Sequence, residues 1–401
     1  MPDTLLQWVF WLSLGCVFYT YFGYGMLIGL FVFLGKIFKS IDRKKSSRSP
    51  VTLSDPDSHR DEEQSPSVTL VIPCFNEATI LDEKVANSLA LHYPNIHIIF
   101  ITDGSSDGSK KLLEKYPQVT VLHHPQRAGK AMAENRAMQF VETQITVFCD
   151  ANALLNKDAI LNLVKHFANP KVGAVSGEKR VMKSDTGAGS TEGIYWKYES
   201  LLKRLDSAFH TVVGAAGELF AIRTALFTPM LPDTINDDLT QSLQVNLKGY
   251  TVAYAPDAFA SEMPSSDLQE EKKRKVRMVA GAWQSMARQP RIFNVFKYPL
   301  LAFQFISHRA LRWTLCPLAI MLLIPTGILL CCTKEIYSLL FYLQSVFYAL
   351  AILGFIAERT NLRLKLLFVP YYFLFMNYTA MLGFFRFMKG GQTALWEKAK
   401  R

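Results

Sequence analysis

Charge and apolarity alternate along this chain in blocks. Residues 5–34 carry no charged side chain, a run long enough to cross a bilayer as a helix. A secretory signal has a shorter apolar core behind a basic start, whereas here Asp3 precedes the run and no Lys or Arg does. The basic residues follow it: Lys36, Lys39, Arg43, Lys44, Lys45 and Arg48. That flank predicts an outward N-terminus and a cytoplasmic continuation. Residues 46–64 are rich in Ser, Pro, Asp and Glu and predict a flexible tether.

From Ser67 the pattern shortens. Runs at 68–72, 97–102, 119–123 and 145–149 are brief and rich in Val and Ile, which predicts buried strands. Stretches at 78–91, 109–116 and 130–143 between them predict helices. Strand and helix in alternation predict an α/β domain with a mostly parallel sheet. Ligands bind such sheets beyond the carboxyl ends of the strands. After about Pro290 the chain turns apolar again, with runs near spanning length at 315–331, 336–356 and 366–385. Residues 295–313 mix His308, Arg309 and Arg312 with apolar side chains, as a helix lying in the interface would. The resulting division is a membrane helix at 5–34, a linker at 35–66, a soluble domain at 67–290, an interfacial helix at 295–313, membrane helices within 314–388 and a basic tail at 389–401.

Composition changes this picture little. The 401 residues carry a formal net charge of +10, and much of the excess flanks the apolar blocks. No nucleic-acid motif accompanies it, so no nucleic acid is expected as a partner. The six cysteines form no CxxC pair and read as small buried hydrophobes. Neither GxGxxG after a strand nor GxxxxGK[ST] occurs, which argues against dinucleotide oxidoreductases and P-loop ATPases. Gly187 and Gly189, in a polar stretch, read as loop.

The polar residues at the strand ends carry the chemistry. After the first strand, Pro73 is expected to stop the ladder and turn Asn76 and Glu77 toward the crevice. After the second, Asp103 stands where a carboxylate would accept hydrogen bonds from a base or ribose. It also fits an Asp–Gly turn in which Ser106 or Asp107 caps the next helix. Arg127-Ala128-Gly129-Lys130 opens a helix, either as a diphosphate contact or with Lys130 merely solvated. After the fourth strand, alternation along an extended segment puts Asp150 and Asn152 on one side, where two oxygens suit Mg²⁺ or Mn²⁺ held against phosphates.

This ordered set resembles the family 2 glycosyltransferases, in particular the membrane-bound branch with cellulose, hyaluronan and poly-N-acetylglucosamine synthases. The resemblance covers about residues 66–286 and the flanking apolar segments. It implies a glycosyltransferase A-type fold, a nucleotide-sugar donor of the UDP type, a divalent metal and inversion at the anomeric carbon. By position, Pro73, Asn76, Glu77 and Asp103 resemble the nucleotide pocket, joined by Lys130, Asp150 and Arg274. Asp150-Ala151-Asn152 matches the Asp-x-Asp metal motif, with Asn152 in place of the last carboxylate, which implies weaker metal affinity or a larger share for the diphosphate. The segment 214–223 resembles the acceptor-side loop, with Gly217 and Glu218, and equally fits a glycine-rich bend into a strand. Asn236-Asp237-Asp238 matches the Thr-Glu-Asp segment, with Asp238 as the base and Asp237 beside it; two acids at a helix start also suit its dipole. Arg274 to Met278 falls where processive members have Gln-x-x-Arg-Trp. Arg277 matches, Arg274 replaces the glutamine and Met278 replaces the tryptophan that stacks on the acceptor, for which Trp283 is a substitute.

The expected activity is transfer of a sugar to a saccharide acceptor in cell-surface polysaccharide synthesis, from a bacterial inner membrane with the domain in the cytoplasm. Alternatives are transfer to a polyprenyl-phosphate or other lipid acceptor, and a catalytically silent nucleotide-sugar-binding scaffold. The tail at 390–401 resembles tails that sit near the active site. Three crossings after a cytoplasmic domain would leave it outside, yet Lys389, Lys398, Lys400 and Arg401 favour inside.

Overall fold

A computed structural model describes residues 2–46, 65–182, 187–263, 268–360, 365–390 and 394–395. Residues 47–64 of the expected tether, and Lys398, Lys400 and Arg401 of the tail, lie outside these. The short apolar runs become strands because they are buried on both faces of a sheet. β1 (Val68–Cys74) is buried at every position. β2 (Ile96–Asp103) and β4 (Ile145–Cys149) flank it in parallel, and β3 (Thr120–His124) joins β2 in parallel. Four further strands follow: β5 (Leu154–Leu155), β6 (Val172–Val181), β7 (Leu219–Arg223) and β8 (Thr251–Glu262). The order is β3-β2-β1-β4-β7-β6-β8-β5. β7 runs antiparallel to both neighbours and β5 antiparallel to β8. The sheet is therefore mixed, and the four strands legible from the pattern are its parallel half.

Pro73 does not stop the ladder. β1 continues to Cys74, with Pro73 opposite Ile101. Pairing of β1 with β4 ends at Val71, so Pro73 sits where β1 has a neighbour on one side only and its missing N–H is tolerated.

The α-helices between β1 and Pro290 are α3 (Ala78–Leu89), α4 (Ser109–Leu113), α5 (Lys130–Ala137), α6 (Ala159–Val164), α7 (Gly187–Phe209), α8 (Asp237–Leu247) and α9 (Leu268–Arg288). They follow α1 (Pro2–Phe18) and α2 (Tyr24–Ser46), which a π-helical turn at Tyr19–Gly23 joins into one rod. Gly187 and Gly189 begin α7 and are not loop; a helix start tolerates glycine where a helix interior penalises it. After the domain come α10 (Pro299–Phe305), α11 (Leu311–Trp313), α12 (Leu315–Leu330), α13 (Glu335–Arg359) and α14 (Lys365–Met388).

Among the described residues, three helices are long and apolar enough to cross a membrane: Thr4–Phe38, Glu335–Arg359 and Leu366–Met388. The pair Pro299–Trp313 and Leu315–Leu330 meets that test jointly, bent by 51°. α14 differs from the other candidates in its surroundings. It lies alongside α9 in the same direction. Phe368 and Tyr372 cluster with Leu268, the Lys272 ammonium sits 5.0 Å from the Tyr378 ring centre, and Trp283 packs on Phe384 and Phe387. A Cβ on Gly383 would stand 2.6 Å from Val279, so the two helices touch almost backbone to backbone. The chain leaving α14 stays with the domain: Ala394 is buried and its carbonyl accepts a hydrogen bond from Arg277 Nη2 at 3.2 Å.

The charged residues of 299–313 face protein, not water. Glu199 of α7 accepts hydrogen bonds from Arg309 (3.0 Å) and Arg312, while His308 pairs with Asp206. Burial disfavours the Glu199 charge, but Arg309 and Arg312 outweigh it and hold its carboxyl well below the usual range. Glu199→Ala leaves two guanidinium groups without their shared anion. It is expected to cost about 3–5 kcal/mol, read as a lower melting temperature of the full chain in detergent. An unchanged melting temperature would refute this lock between α7 and the helices that follow the domain.

Candidate active site

The site forms where the sheet reverses. Because β7 is antiparallel to β4, Cys149 at the end of β4 lies opposite Leu219 at the start of β7. Asp150 and Glu218, the next residues outward, therefore share one rim. α5 starts on the same rim, and its first residue supplies the central cation. Lys130 Nζ lies 2.7 Å from Asp150 Oδ1, 3.0 Å from Asp237 Oδ2 and 3.8 Å from Glu134 Oε1. It also donates to the Gly217 carbonyl at 3.4 Å. Residues distant in sequence thus meet at one ammonium, and Lys130 is not a solvated helix residue. Burial works against its charge, but Asp150, Asp237 and Glu134 outweigh that and hold its pKa well above the ordinary lysine value.

Asp237 and Asp238 open α8, where the helix dipole favours acids. Asp238 Oδ1 accepts the Leu239 N–H at 2.7 Å, so the same residue serves the helix start and faces the cleft. Burial and the neighbouring Asp237 charge raise its pKa to about 7. That value suits a general base at neutral pH. A Cβ on Gly217 would stand 3.3 Å from Asp238 Oδ2, so the loop before β7 closes directly over this carboxylate. Burial and Asp237 also raise the Glu134 pKa well above the usual range. Glu218 is held low: burial opposes its charge, but Lys179 wins, and Lys179 is itself paired to Glu262 at 2.7 Å.

The nucleotide side is a stitched pair of loops. Asn76 takes a left-handed backbone (φ 54°), and its side-chain oxygen accepts the Ser106 N–H at 2.8 Å. Its own N–H donates to Ser105 Oγ, and that of Glu77 to Ser109 Oγ. Asp107 accepts from Ala78 N–H and Ser109 N–H, at the starts of α3 and α4. Asp103 is fully buried. Its carboxylate accepts the Ala128 and Gly129 N–H groups, the latter at 2.7 Å, and pairs with Arg136. Both oxygens serve protein donors, so here Asp103 shapes the turn leading into Lys130 and does not present its carboxylate to a ligand. Gly104 (φ +69°) makes this possible, because a Cβ there would lie 2.7 Å from the Arg127 nitrogen.

Other expected residues fall differently. Asp150 to Ala153 form a turn closed by the Ala153 N–H on the Asp150 carbonyl (3.2 Å). The segment is not extended, so strand alternation does not place Asn152. Trp283 packs against Phe384 at 4.8 Å between ring centres, in a cluster with Leu239 and Met286. That removes it from the acceptor side, since its neighbours are apolar. Arg274 pairs with Glu271 at 3.2 Å and is close enough to Lys179 and Glu218 to affect both electrostatically. Arg277 senses Asp237 and Asp150, so it borders the cleft. Its burial lowers its pKa, and Arg386 and Arg127 act the same way.

Hard oxygen donors for a divalent cation are present in Asp150 and Asn152. Among the described residues no group of three or more His, Cys, Asp or Glu side chains is arranged to hold a metal. A cation held by Asp150 and Asn152 would need phosphate oxygens for its remaining ligands.

Sequence reasoning missed the support beneath this turn. Lys84 of α3 is fully buried; its ammonium donates to the Ala153 carbonyl and lies 3.0 Å from Cys149 Sγ. One turn on, Asn87 donates to the Leu155 carbonyl at 2.8 Å and accepts the Leu155 N–H at 2.9 Å. α3 thus grips both sides of the segment that carries Asp150. A lysine on the buried face of an amphipathic helix was the only available signal. Lys84→Met removes the grip. It is expected to raise the apparent metal or donor constant about tenfold with a smaller change in kcat; an unaltered constant would refute this role.

Residues 69–228 match the family model described as glycosyl transferase family 2. Residues 69–228 are thus similar to a family 2 glycosyltransferase domain, and the chain carries an A-type fold beside apolar helices. The poly-beta-1,6-N-acetyl-D-glucosamine synthase of Staphylococcus aureus (strain COL) is 26% identical over 260 residues, covering 61% of this chain and 62% of the relative. The synthase of the same description from Staphylococcus epidermidis is 24% identical over 277 residues, covering 66% and 65%. The match thus spans just under two thirds of these relatives' length. A mannosyltransferase from Pyrobaculum calidifontis, solved in complex with GDP-Man and Mn²⁺, shares the fold with a TM-score of 0.63 at 21% identity, over 91% of this chain and 97% of that one.

Proposed function

We propose that this chain is an inverting glycosyltransferase that moves a sugar from a nucleotide-diphosphate donor, of the UDP type, onto a saccharide acceptor at the cytoplasmic face of a membrane. The observation that carries the reading is the meeting of Asp150, Asp237 and Lys130 beside Asp238, a carboxylate with a pKa of about 7. The acceptor hydroxyl loses its proton to Asp238 as its oxygen bonds to the anomeric carbon. The bond from that carbon to the diphosphate breaks on the opposite face, which inverts the centre. Negative charge grows on the departing diphosphate, and Lys130 and Arg277 stand where they stabilise it. A divalent cation, Mg²⁺ or Mn²⁺, held by Asp150 and Asn152 would neutralise part of the same charge.

The staphylococcal relatives favour an N-acetylglucosamine donor and a polysaccharide product in a bacterial cell membrane. The tail supports a domain and tail on the same side, since Ala394 meets Arg277. The test is a donor screen with the full chain in membranes, reading nucleoside diphosphate release with and without Mn²⁺ or Mg²⁺ and the product by mass. Release with a water-soluble saccharide product supports the proposal. A lipid-extractable product reassigns the acceptor, and no release from any donor and acceptor tried overturns catalysis in favour of a scaffold.

A further inference from the structure

Between α9 and the end of α14 lies an open groove of about 570 Å³. Lys272 and Lys273 line it from α9, and Arg386 and Lys389 from the end of α14. Its apolar part is formed by Val276 and Phe385 together with Leu382. None of the lining residues is acidic. Lys273 is paired with Glu270 at 2.8 Å, and Glu271 is turned to Arg274 and Lys275. Among the described residues, the side chains of Arg386 and Lys389 have no ion pair or hydrogen bond. The charges of Arg386 and Lys389 are therefore unanswered by the described residues, while Lys273 has Glu270 and Lys272 the Tyr378 ring.

The surroundings indicate what answers these charges. Along α14, Tyr378, Phe385 and Met388 are exposed by 50%, 53% and 64%. Such a face is stable against hydrocarbon and unfavourable against water. The groove thus joins an apolar exposed helix face to a rim of four cations at the end of a helix apolar enough to enter a membrane. A molecule that matches both halves has a negative head and an apolar body. A free phosphate would use the cations alone and leave the Phe385 side uncovered.

We propose that this groove holds the phosphate-bearing headgroup of an anionic phospholipid from the surrounding bilayer, with the acyl chains along the exposed face of α14. The lining of the groove includes none of Lys130, Asp150, Asp237 and Asp238, and Arg277, the next residue after Val276, turns to Ala394 and the Asp237 side. Its occupant lies between the two helices whose contact carries the tail back to the domain. The inference shares with the proposed function only the membrane placement.

The test uses the full chain and reads lipid retention, not transfer. Native mass spectrometry from detergent counts bound phosphatidylglycerol against phosphatidylcholine. The unsubstituted chain is expected to keep phosphatidylglycerol selectively. Joint replacement Lys272→Gln, Arg386→Gln and Lys389→Gln is expected to weaken that retention about a hundredfold, at roughly a factor of five per cation near a lipid surface. An equal charge change on the soluble domain, Lys110→Gln, Lys111→Gln and Lys115→Gln, is expected to leave it unchanged. Lys389→Gln alone, at an exposed side chain whose removal disturbs no packing, is expected to weaken it about fivefold. Equal retention of both lipids, unchanged retention in the groove variants, or displacement of the lipid by millimolar inorganic phosphate would each overturn the proposal, the last in favour of a soluble-anion site.

Discussion

Asp238→Asn is expected to lower sugar transfer by about 10²–10⁴-fold, the range of a lost general base, while donor binding stays within about twofold. Asparagine has the shape of aspartate and still offers an oxygen to the Leu239 N–H, so the helix start survives. What disappears is the basic carboxylate. The pH profile gives an independent readout. With a pKa raised to about 7 by burial and Asp237, Asp238 is protonated and inactive as a base below that pH. The free-enzyme rate constant kcat/KM should therefore climb as pH rises through about 7, and the residual rate of the asparagine variant should lack this limb. Stability separates loss of function from misfolding. The folded-state pKa lies above the unfolded one, so ionised Asp238 destabilises the fold increasingly as pH rises from about 4 to 7. At pH 8 the neutral asparagine should melt higher than the parent. Near-normal turnover would remove Asp238 from the mechanism.

Lys130→Met is the second large effect expected. Lys130 is the only cation paired to both Asp150 and Asp237 among the described residues. Methionine keeps the length and leaves two carboxylates facing each other. Loss of one partner of a buried ion pair costs about 3–5 kcal/mol, and the same charge is withdrawn from the departing diphosphate. A fall in kcat/KM of about 10³-fold or more is expected, with a lower melting temperature. Lys130 also competes with any metal for the Asp150 oxygen at 2.7 Å. The variant should therefore bind Mn²⁺ more tightly while turning over more slowly. A metal titration identical to that of the parent would show that Lys130 and the metal do not share Asp150.

The parallel half of the sheet was legible because doubly buried strands read as short runs of Val and Ile. β1, β2 and β4 begin and end within two residues of their patterns. β6 and β8 were not read, since glycines interrupt β6 and a proline interrupts β8; β7 was read only as a strand after the bend at 214–223, and its reversal has no local signal. Asp150, Asp237 and Asp238 stood out as acids at element ends; the structure brings Asp150 and Asp237 to one ammonium, with Asp238 the next residue along. Asp103 stood out equally, yet its oxygens serve backbone donors of a turn 25 residues on, a contact that only tertiary structure creates. Trp283 drew notice as an aromatic near a missing tryptophan, but its position was set by the facing Phe384 and Phe387. The side on which the tail lies depended on whether residues 295–313 cross or one later block does not, and hydropathy alone does not decide between these.

The reversed strand at the middle of the sheet has an evolutionary corollary. The strands and loops on the nucleotide side of the β4–β7 seam are encoded before Asp150, and the loop at 214–218, the start of α8 and Arg277 on the other side are encoded after it. Under the proposed function, substitutions in the later stretch would change what is received without altering what is given, with Lys130 bridging the seam.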